Sequence, residues 1–109
     1  MSLNSDLELK EFNAASLTGS YQTFGAATSN PSYYAYFFNA SDVDVYISRD
    51  GSTNDLRIPA NSSLPLTYFS RHNTLTKGSS IFKKGTQLYV KQVTAAGTGT
   101  IIANIVTEQ

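Results

Sequence analysis

The sequence predicts an all-β protein, a single antiparallel β-sandwich of jelly-roll or immunoglobulin-like type with about seven to eight strands. Two observations lead to this prediction. Short runs of β-branched and aromatic residues alternate with polar residues, as in DVDVYIS at 42–48, and this period of two is typical of strands with one buried face. Turn-forming Gly, Pro and Asn residues separate the runs, and no segment shows a sustained helical period.

The stretch 33–59 carries the strongest strand signals. Its first run, YYAYFF, is followed by turn chemistry at 39–41 and then by the strand DVDVYIS. The pair Asp50-Gly51 comes next and predicts a type I′ hairpin turn, which requires positive φ at both central residues. We therefore expect a third, short strand to follow this turn.

The N-terminal segment is treated separately from the rest of the chain. Residues 1–14 are interpreted as an N-terminal arm or edge strand, because apolar and charged residues alternate at 7–10. A loosely held terminus and an arm docked on a neighbouring subunit are both open readings. Residues 15–109 form the predicted sandwich domain.

Four further strands are expected in that domain. The first lies at 15–24, and another lies at 62–69, where Pro65 lacks a backbone donor and therefore favours a sheet edge. The last two, at 87–94 and 100–107, are expected to pair as a hairpin across a Gly-rich connection.

The C-terminal strand is apolar on both faces, which is unusual for a strand with one solvated side. Its odd-numbered residues fit the core, so the strand must lie centrally in the sheet or meet another subunit. With the hairpin partner beside it, the opposite face would form one apolar patch. The predicted interface residues are Tyr89, Val93, Ile102 and Val106.

The composition narrows the function classes. The 109 residues contain no cysteine, so neither a disulfide nor a thiolate metal site is expected. Lys plus Arg equals Asp plus Glu, at 8 each, which argues against a nucleic-acid partner. No apolar run approaches the roughly 20 residues of a membrane span, and no secretory signal is predicted at the start.

No catalytic residue, cofactor or metal site is predicted. The single histidine, His72, stands in a polar stretch without a second ligand, and a solvated loop residue is the better interpretation. The aspartates of 42–55 do not follow a calcium-loop spacing and fit an outward strand face. The acceptor patterns at 39–41 and 61–63 receive no weight as glycosylation sites without a secretion signal.

Several turns resemble those of small structural proteins of tailed bacteriophages. The motifs that carry the resemblance are NASD at 39–42, SRDG at 48–51, IPANS at 58–62 and the GTQLYVK strand with its Gly/Thr-rich hairpin at 85–106. The resemblance spans roughly 15–106 and consists of turns and strands, with no catalytic signature. It implies a β-sandwich building block of a virion, in the capsid as a decoration protein, at the head–tail neck, or in a tail or fibre.

The predicted function is therefore a non-enzymatic virion subunit that assembles through subunit interfaces. The expected partners are other virion proteins and copies of the chain itself, with no nucleic acid and no membrane. The resemblance implies a virion location after synthesis in the host cytoplasm. The alternative is a carbohydrate- or receptor-binding module on a phage tail or capsid fibre, since exposed tyrosines can stack on sugars of a host-surface glycan.

Overall fold

The computed structural model describes residues 5–29, 32–66, 82 and 84–108. Within these residues the chain is all-β, apart from a single 3-10 turn at Ala14–Ser16. The strands are β1 (Ser5–Asn13), β2 (Gln22–Thr23), β3 (Ser32–Ser41), β4 (Val45–Ser48), β5 (Leu56–Ile58), β6 (Ser62–Leu66), β7 (Tyr89–Gln92) and β8 (Gly99–Glu108). They form two four-stranded antiparallel sheets.

Sheet A has the strand order β1-β8-β3-β6, so β8 lies between β1 and β3. Ala103 of β8 stands opposite Lys10 of β1 on one side and opposite Phe37 of β3 on the other. The central place of β8 explains why both of its faces are apolar, since one face lines the core and the other is partly covered by neighbouring side chains.

Sheet B has the order β2-β7-β4-β5 and is built from shorter strands. Ile47 of β4 stands opposite Val90 of β7 and opposite Leu56 of β5. The predicted strand at 15–24 is reduced to β2, because the 3-10 turn, a bend at 19–20 and residues without regular structure occupy the rest of that segment.

The two sheets bury their inward side chains in one shared core. Sheet A contributes alternate residues of β3 and β8, and sheet B contributes alternate residues of β4 and β7. This period of two is the pattern that predicted the strands. The fully buried apolar residues of the strands are Ala35, Phe37, Ile101, Ala103 and Ile105 from sheet A, and Val45, Ile47, Ile58 and Val90 from sheet B.

The predicted C-terminal hairpin is wrong. β7 and β8 belong to different sheets, so the connection at 93–98 crosses from sheet B to sheet A instead of turning back within one sheet. Asp42 fixes this crossover, because its carboxylate accepts hydrogen bonds from the backbone N–H and the hydroxyl of Thr98. A Gly-rich connection between two strands therefore does not by itself indicate that the strands pair.

The type I′ turn predicted at Asp50-Gly51 is also wrong. Gly51 has φ +82°, but Asp50 is not among the described residues with positive φ. A loop at 49–55 joins β4 to β5 instead, and the two strands still pair as an antiparallel hairpin. Ser48 is buried at the start of this loop, and its hydroxyl accepts hydrogen bonds from the backbone N–H groups of both turn residues.

Other sequence predictions fall partly or wholly outside the described residues. Of the strand predicted at 62–69, the structure describes 62–66 as β6, at the edge of sheet A as Pro65 indicated. His72 lies outside the described residues. The division at residue 14 into an arm or edge strand and a sandwich domain stays a prediction, although β1 does stand at the edge of sheet A.

Candidate assembly surface

The side of sheet A that faces away from the core, called here the outer face, is an exposed apolar surface. It follows from the registers: residues that alternate with the core residues of β3 and β8 stand in rows across the sheet. One row runs Leu9, Asn104, Tyr36 and Pro65, and the next runs Glu11, Ile102, Phe38 and Ser63. Val106 and Tyr34 stand opposite each other in a third row.

Three large apolar side chains of the outer face are more exposed than the rest. Leu9 is 57% exposed, Tyr34 is 37% exposed and Phe38 is 38% exposed. Tyr36, Ile102 and Val106 lie between them and are half-buried. Scattered exposed apolar residues are ordinary, but a contiguous group spread over several strands marks an interaction surface.

The outer face carries little charge. Glu11 is the one charged side chain in the described rows, and it lies at the β1 end of its row. Burial of this surface against a partner would therefore desolvate few charged groups, which keeps the polar cost of association low. Its chemistry suits shape-dependent apolar contact and offers no acid–base pair.

The structure separates the four predicted interface residues into two pairs. Ile102 and Val106 lie on the outer face of sheet A. Tyr89 and Val93 lie with sheet B, where Tyr89 is opposite Ser48 and the backbone N–H of Val93 donates to the carbonyl of Asp44. The single patch was expected because β7 was placed next to β8, and that adjacency is wrong.

The sequence reasoning missed Leu9, Tyr34 and Phe38 as members of the surface. The sequence did contain a signal for Tyr34 and Phe38. Consecutive aromatics in YYAYFF must point to opposite faces of a strand, so some of them had to lie on the face away from the core. No local pattern identifies β1 and β3 as the neighbours of β8, because this pairing is set by the folding of the whole chain.

Sheet B presents a different outer surface, built from tyrosines and cations. The Lys91 ammonium lies 4.7 Å from the ring centroid of Tyr21 and 5.6 Å from that of Tyr46. The guanidinium of Arg57 lies 5.9 Å from the Tyr46 centroid and donates to Asp44 at 2.9 Å. These cation–π contacts cover the tyrosine rings.

Ionisable groups near this surface have shifted pKa values. Partial burial raises the pKa of Tyr21 above its ordinary value, and the nearby carboxylates of Asp55 and Asp50 add to the rise. The hydrogen bond from Arg57, together with one from the backbone of Ala60, lowers the pKa of Asp44. The same ion pair raises the pKa of Arg57.

The outward strand face expected for the aspartates of 42–55 is wrong, because all four lie outside the strands and act as hydrogen-bond acceptors in the connecting segments. Asp42 binds Thr98, Asp44 binds Arg57 and Ala60, Asp50 binds the loop that follows it, and Asp55 accepts from the backbone N–H of Arg49. In the part of the chain that the structure describes, no three acidic or histidine side chains are grouped as metal ligands would be. The same part contains no helix long and apolar enough to cross a membrane.

Comparison with known proteins adds one structural likeness. No protein-family model matches the chain, and no curated protein sequence matches it. A solved structure from Bacillus endospore appendages, described as a family of disulfide-linked pili, is similar with a TM-score of 0.52 and 13% sequence identity. The likeness covers 98% of this chain and 88% of that one. At this identity it shows a shared fold and nothing about function.

Proposed function

We propose that this protein is a non-enzymatic structural subunit that assembles with copies of itself, and that the outer face of sheet A is the assembly surface. The observation that carries the proposal is the exposure of Leu9, Tyr34 and Phe38 on one nearly uncharged sheet face. The two sheets and their shared core also suit a sandwich of jelly-roll type, which has eight strands in two sheets.

A second copy is the partner that the charge balance favours. The chain has a formal net charge of zero at pH 7, so copies do not repel one another over long distances. Near-zero net charge together with an exposed apolar face promotes self-association. A partner selected by charge would need an acidic or basic patch on this face, and the described rows carry Glu11 alone.

Two observations support a role in assembly, and each points to a different kind of assembled structure. The turn motifs at 39–42, 48–51 and 58–62 resemble those of tailed-phage structural proteins, which supports a virion subunit in a capsid, neck, tail or fibre. The fold is shared with a protein of disulfide-linked pili, which supports a fibre subunit. The 109 residues contain no cysteine, so copies of this chain would associate without disulfides.

The experiment compares assembly of the wild-type chain with that of a Tyr34→Ser, Phe38→Ser double variant. Both side chains are more than a third exposed, so the isolated variant should stay folded, with a melting temperature lowered by roughly 5–15 °C through the loss of their buried part. We expect light scattering and electron microscopy to show multimers of the wild-type chain and monomers of the variant. A folded variant that assembles as well as the wild type would refute the assembly role of the outer face.

The matched control is a Tyr89→Ser, Val93→Ser double variant, which changes the predicted interface residues that lie with sheet B. We expect this control to assemble normally. Loss of assembly in the control alone would show that the interface lies on the sheet B side of the molecule.

The second candidate function is glycan or receptor binding on a phage tail or capsid fibre. The tyrosines and cations on the outer surface of sheet B favour it, because aromatic rings and charged hydrogen-bond donors are groups that can bind sugars. The cations cover the tyrosine rings, however, and would have to move before a sugar could stack. A wild-type chain that stays monomeric and is retained on a glycan array would favour this function over assembly.

A further inference from the structure

The two edges of sheet A are chemically different. One edge is β6, a five-residue strand whose Pro65 has no backbone N–H to donate. The other edge is β1, a nine-residue strand without proline. Among the described residues, β1 pairs with β8 alone, and no backbone hydrogen bond joins it to another strand.

A long unpaired edge strand exposes a row of backbone donors and acceptors that can pair with another strand. An inward-pointing charge opposes such pairing when the pairing would bury the charge without a partner. Lys10 stands on the inward face of β1 and is only 5% exposed, but it already has partners in its own chain and so does not block the edge. Its ammonium donates to the carbonyl of Ala26 and lies 3.5 Å from a carboxylate oxygen of Glu8.

We propose that β1 pairs with β1 of a second copy, antiparallel and about a two-fold axis at Leu9, so that two copies share one eight-stranded sheet. The proposal rests on the assembly with copies proposed above and names a second contact for it. A contact of this kind is isologous, because each copy contributes the same strand. The proline-containing edge at β6 stays outside the contact.

The charges of β1 select this register. For both outer faces to lie on the same side of the joined sheet, even-numbered residues must oppose even-numbered ones. With the axis at Leu9, Glu8 of each copy stands opposite Lys10 of the other, which gives two opposite-charge pairs. With the axis at residue 8 or at residue 10, a like-charge pair stands at the axis, which destabilises the pairing.

The apolar residues agree with the same register. Leu9 is the most exposed of the large apolar side chains in the described residues, and this register places it opposite Leu9 of the second copy. The row Leu9, Asn104, Tyr36 and Pro65 then continues into the same row of the second copy. The two outer faces become one surface of twice the width.

A cysteine placed at the axis tests the register directly, since the chain has no cysteine of its own. Residue 9 of one copy stands opposite residue 9 of the other, where side chains are about 4.5–5.5 Å apart at Cβ. We expect Leu9→Cys to form a disulfide-linked dimer under mild oxidation with copper–phenanthroline.

Glu11→Cys is the matched control, because it is exposed on the same outer face of the same strand. In the proposed register the two control cysteines are four residues out of step, or roughly 13 Å apart along the strand, which is beyond disulfide reach. We expect it to stay uncrosslinked. Equal crosslinking of both variants, or of neither, overturns the proposed pairing.

A second pair of variants keeps the two proposals distinguishable. Glu8→Lys places like charges opposite each other at both charge pairs of the axis, and we expect a roughly tenfold weaker dimer by light scattering. The change also removes the carboxylate beside the buried Lys10 of the same chain, so thermal unfolding first establishes that the variant is folded, and the cysteine pair decides the register if it is not. Glu11→Lys makes the same change in net charge away from these pairs and should weaken the dimer less. A different result is also decisive. If Glu8→Lys weakens the dimer no more than Glu11→Lys does, while Tyr34→Ser, Phe38→Ser still abolishes assembly, the edge contact is overturned and the proposed function stands.

Discussion

Asn39 is the buried residue on which the turn after β3 depends. It has no exposed surface, and its side-chain amide donates to the carbonyls of Val43 at 2.7 Å and Ile58 at 3.0 Å. Its oxygen accepts from the backbone N–H of Ser41. One side chain thus joins sheet A to the segment before β4 and to the end of β5, because its amide donates to a carbonyl of each.

Asn39→Leu should therefore destabilise the protein by roughly 2 kcal/mol, since a buried carbonyl that loses its donor costs about 1–3 kcal/mol. Leucine removes the amide donor from the carbonyls of Ile58 and Pro59, whereas the Ser41 hydroxyl can still donate to that of Val43. The measurement is the free energy of unfolding in urea. Asn104→Leu makes the same chemical change on the half-buried outer face and should alter stability by about 0.5 kcal/mol or less. Equal losses in the two variants would contradict this role of Asn39.

The importance of Asn39 could be read only partly from the sequence. A turn was predicted at 39–41, since Asn and Ser favour turns through bonds between side chain and backbone. Its position is wrong: residues 39–41 still belong to β3, the chain bends at 42–43, and β4 begins at Val45 instead of at residue 42. The carbonyl of Ile58 lies 19 residues further along, and no local pattern connects the two. The full burial of Asn39 also excludes it as a glycan acceptor, in agreement with the low weight given to that motif.

At the scale of elements, the loop at 49–55 is organised by one carboxylate. Asp50 accepts hydrogen bonds from the backbone N–H groups of Ser52 and Thr53, both at 2.8 Å. The hydroxyls of Ser48 and Thr53 add two more. These donors favour the ionised carboxylate and lower the pKa of Asp50 far below its ordinary value, with the two backbone bonds as the main cause.

This shift makes the stability of the loop depend on pH. A carboxylate with a lowered folded-state pKa stabilises the fold above its unfolded pKa of about 3.9, and the contribution is lost as the pH falls below that value. Asp50→Asn keeps an acceptor oxygen but cannot ionise. We therefore expect the wild type to melt above the variant at pH 7, and the difference to shrink as the pH falls from about 4 to about 2.

Thermal unfolding of both proteins across this pH range is the measurement. Asp42 and Asp44 also have lowered pKa values, caused first by hydrogen bonds from Thr98 and Arg57. They are present in both proteins, so their contributions cancel in the comparison. A difference in melting temperature that stays constant with pH would refute the role of the Asp50 charge.

The strands of this hairpin were predictable, whereas the loop between them was not. β4 carries a clean alternation, with Val45 and Ile47 buried and Tyr46 between them half-buried. The Asp50-Gly51 pair indicated a tight turn, and Gly51 does have the positive φ that such pairs favour. The carboxylate instead binds the residues after the pair, so the chain forms a longer loop that the dipeptide alone does not reveal.

At the scale of the whole molecule, the position of β8 determines what is exposed. Apolar residues on both faces of 100–107 predicted either a central strand or a subunit contact, and the structure shows β8 in a central position. The neighbours of β8 lie far away in the sequence at β1 and β3. Such pairings depend on the closure of long loops, which local patterns do not encode.

The physical nature of the outer face predicts how assembly responds to salt. Contacts between apolar surfaces strengthen in sodium sulfate, because the salt is excluded from protein surfaces, and they change little in sodium chloride. Contacts between exposed charges weaken in sodium chloride through screening. The chain carries eight basic and eight acidic residues, a balance that leaves no net attraction or repulsion between copies at pH 7.

We therefore expect the dissociation constant between copies to fall in sodium sulfate and to change by about twofold or less across a moderate sodium chloride series. Light scattering over a dilution series measures both responses. The Glu8 and Lys10 side chains at the proposed strand contact are largely buried, so sodium chloride should screen them weakly. Dissociation by sodium chloride with no effect of sulfate would mean that exposed charges, and not the outer face of sheet A, hold the copies together.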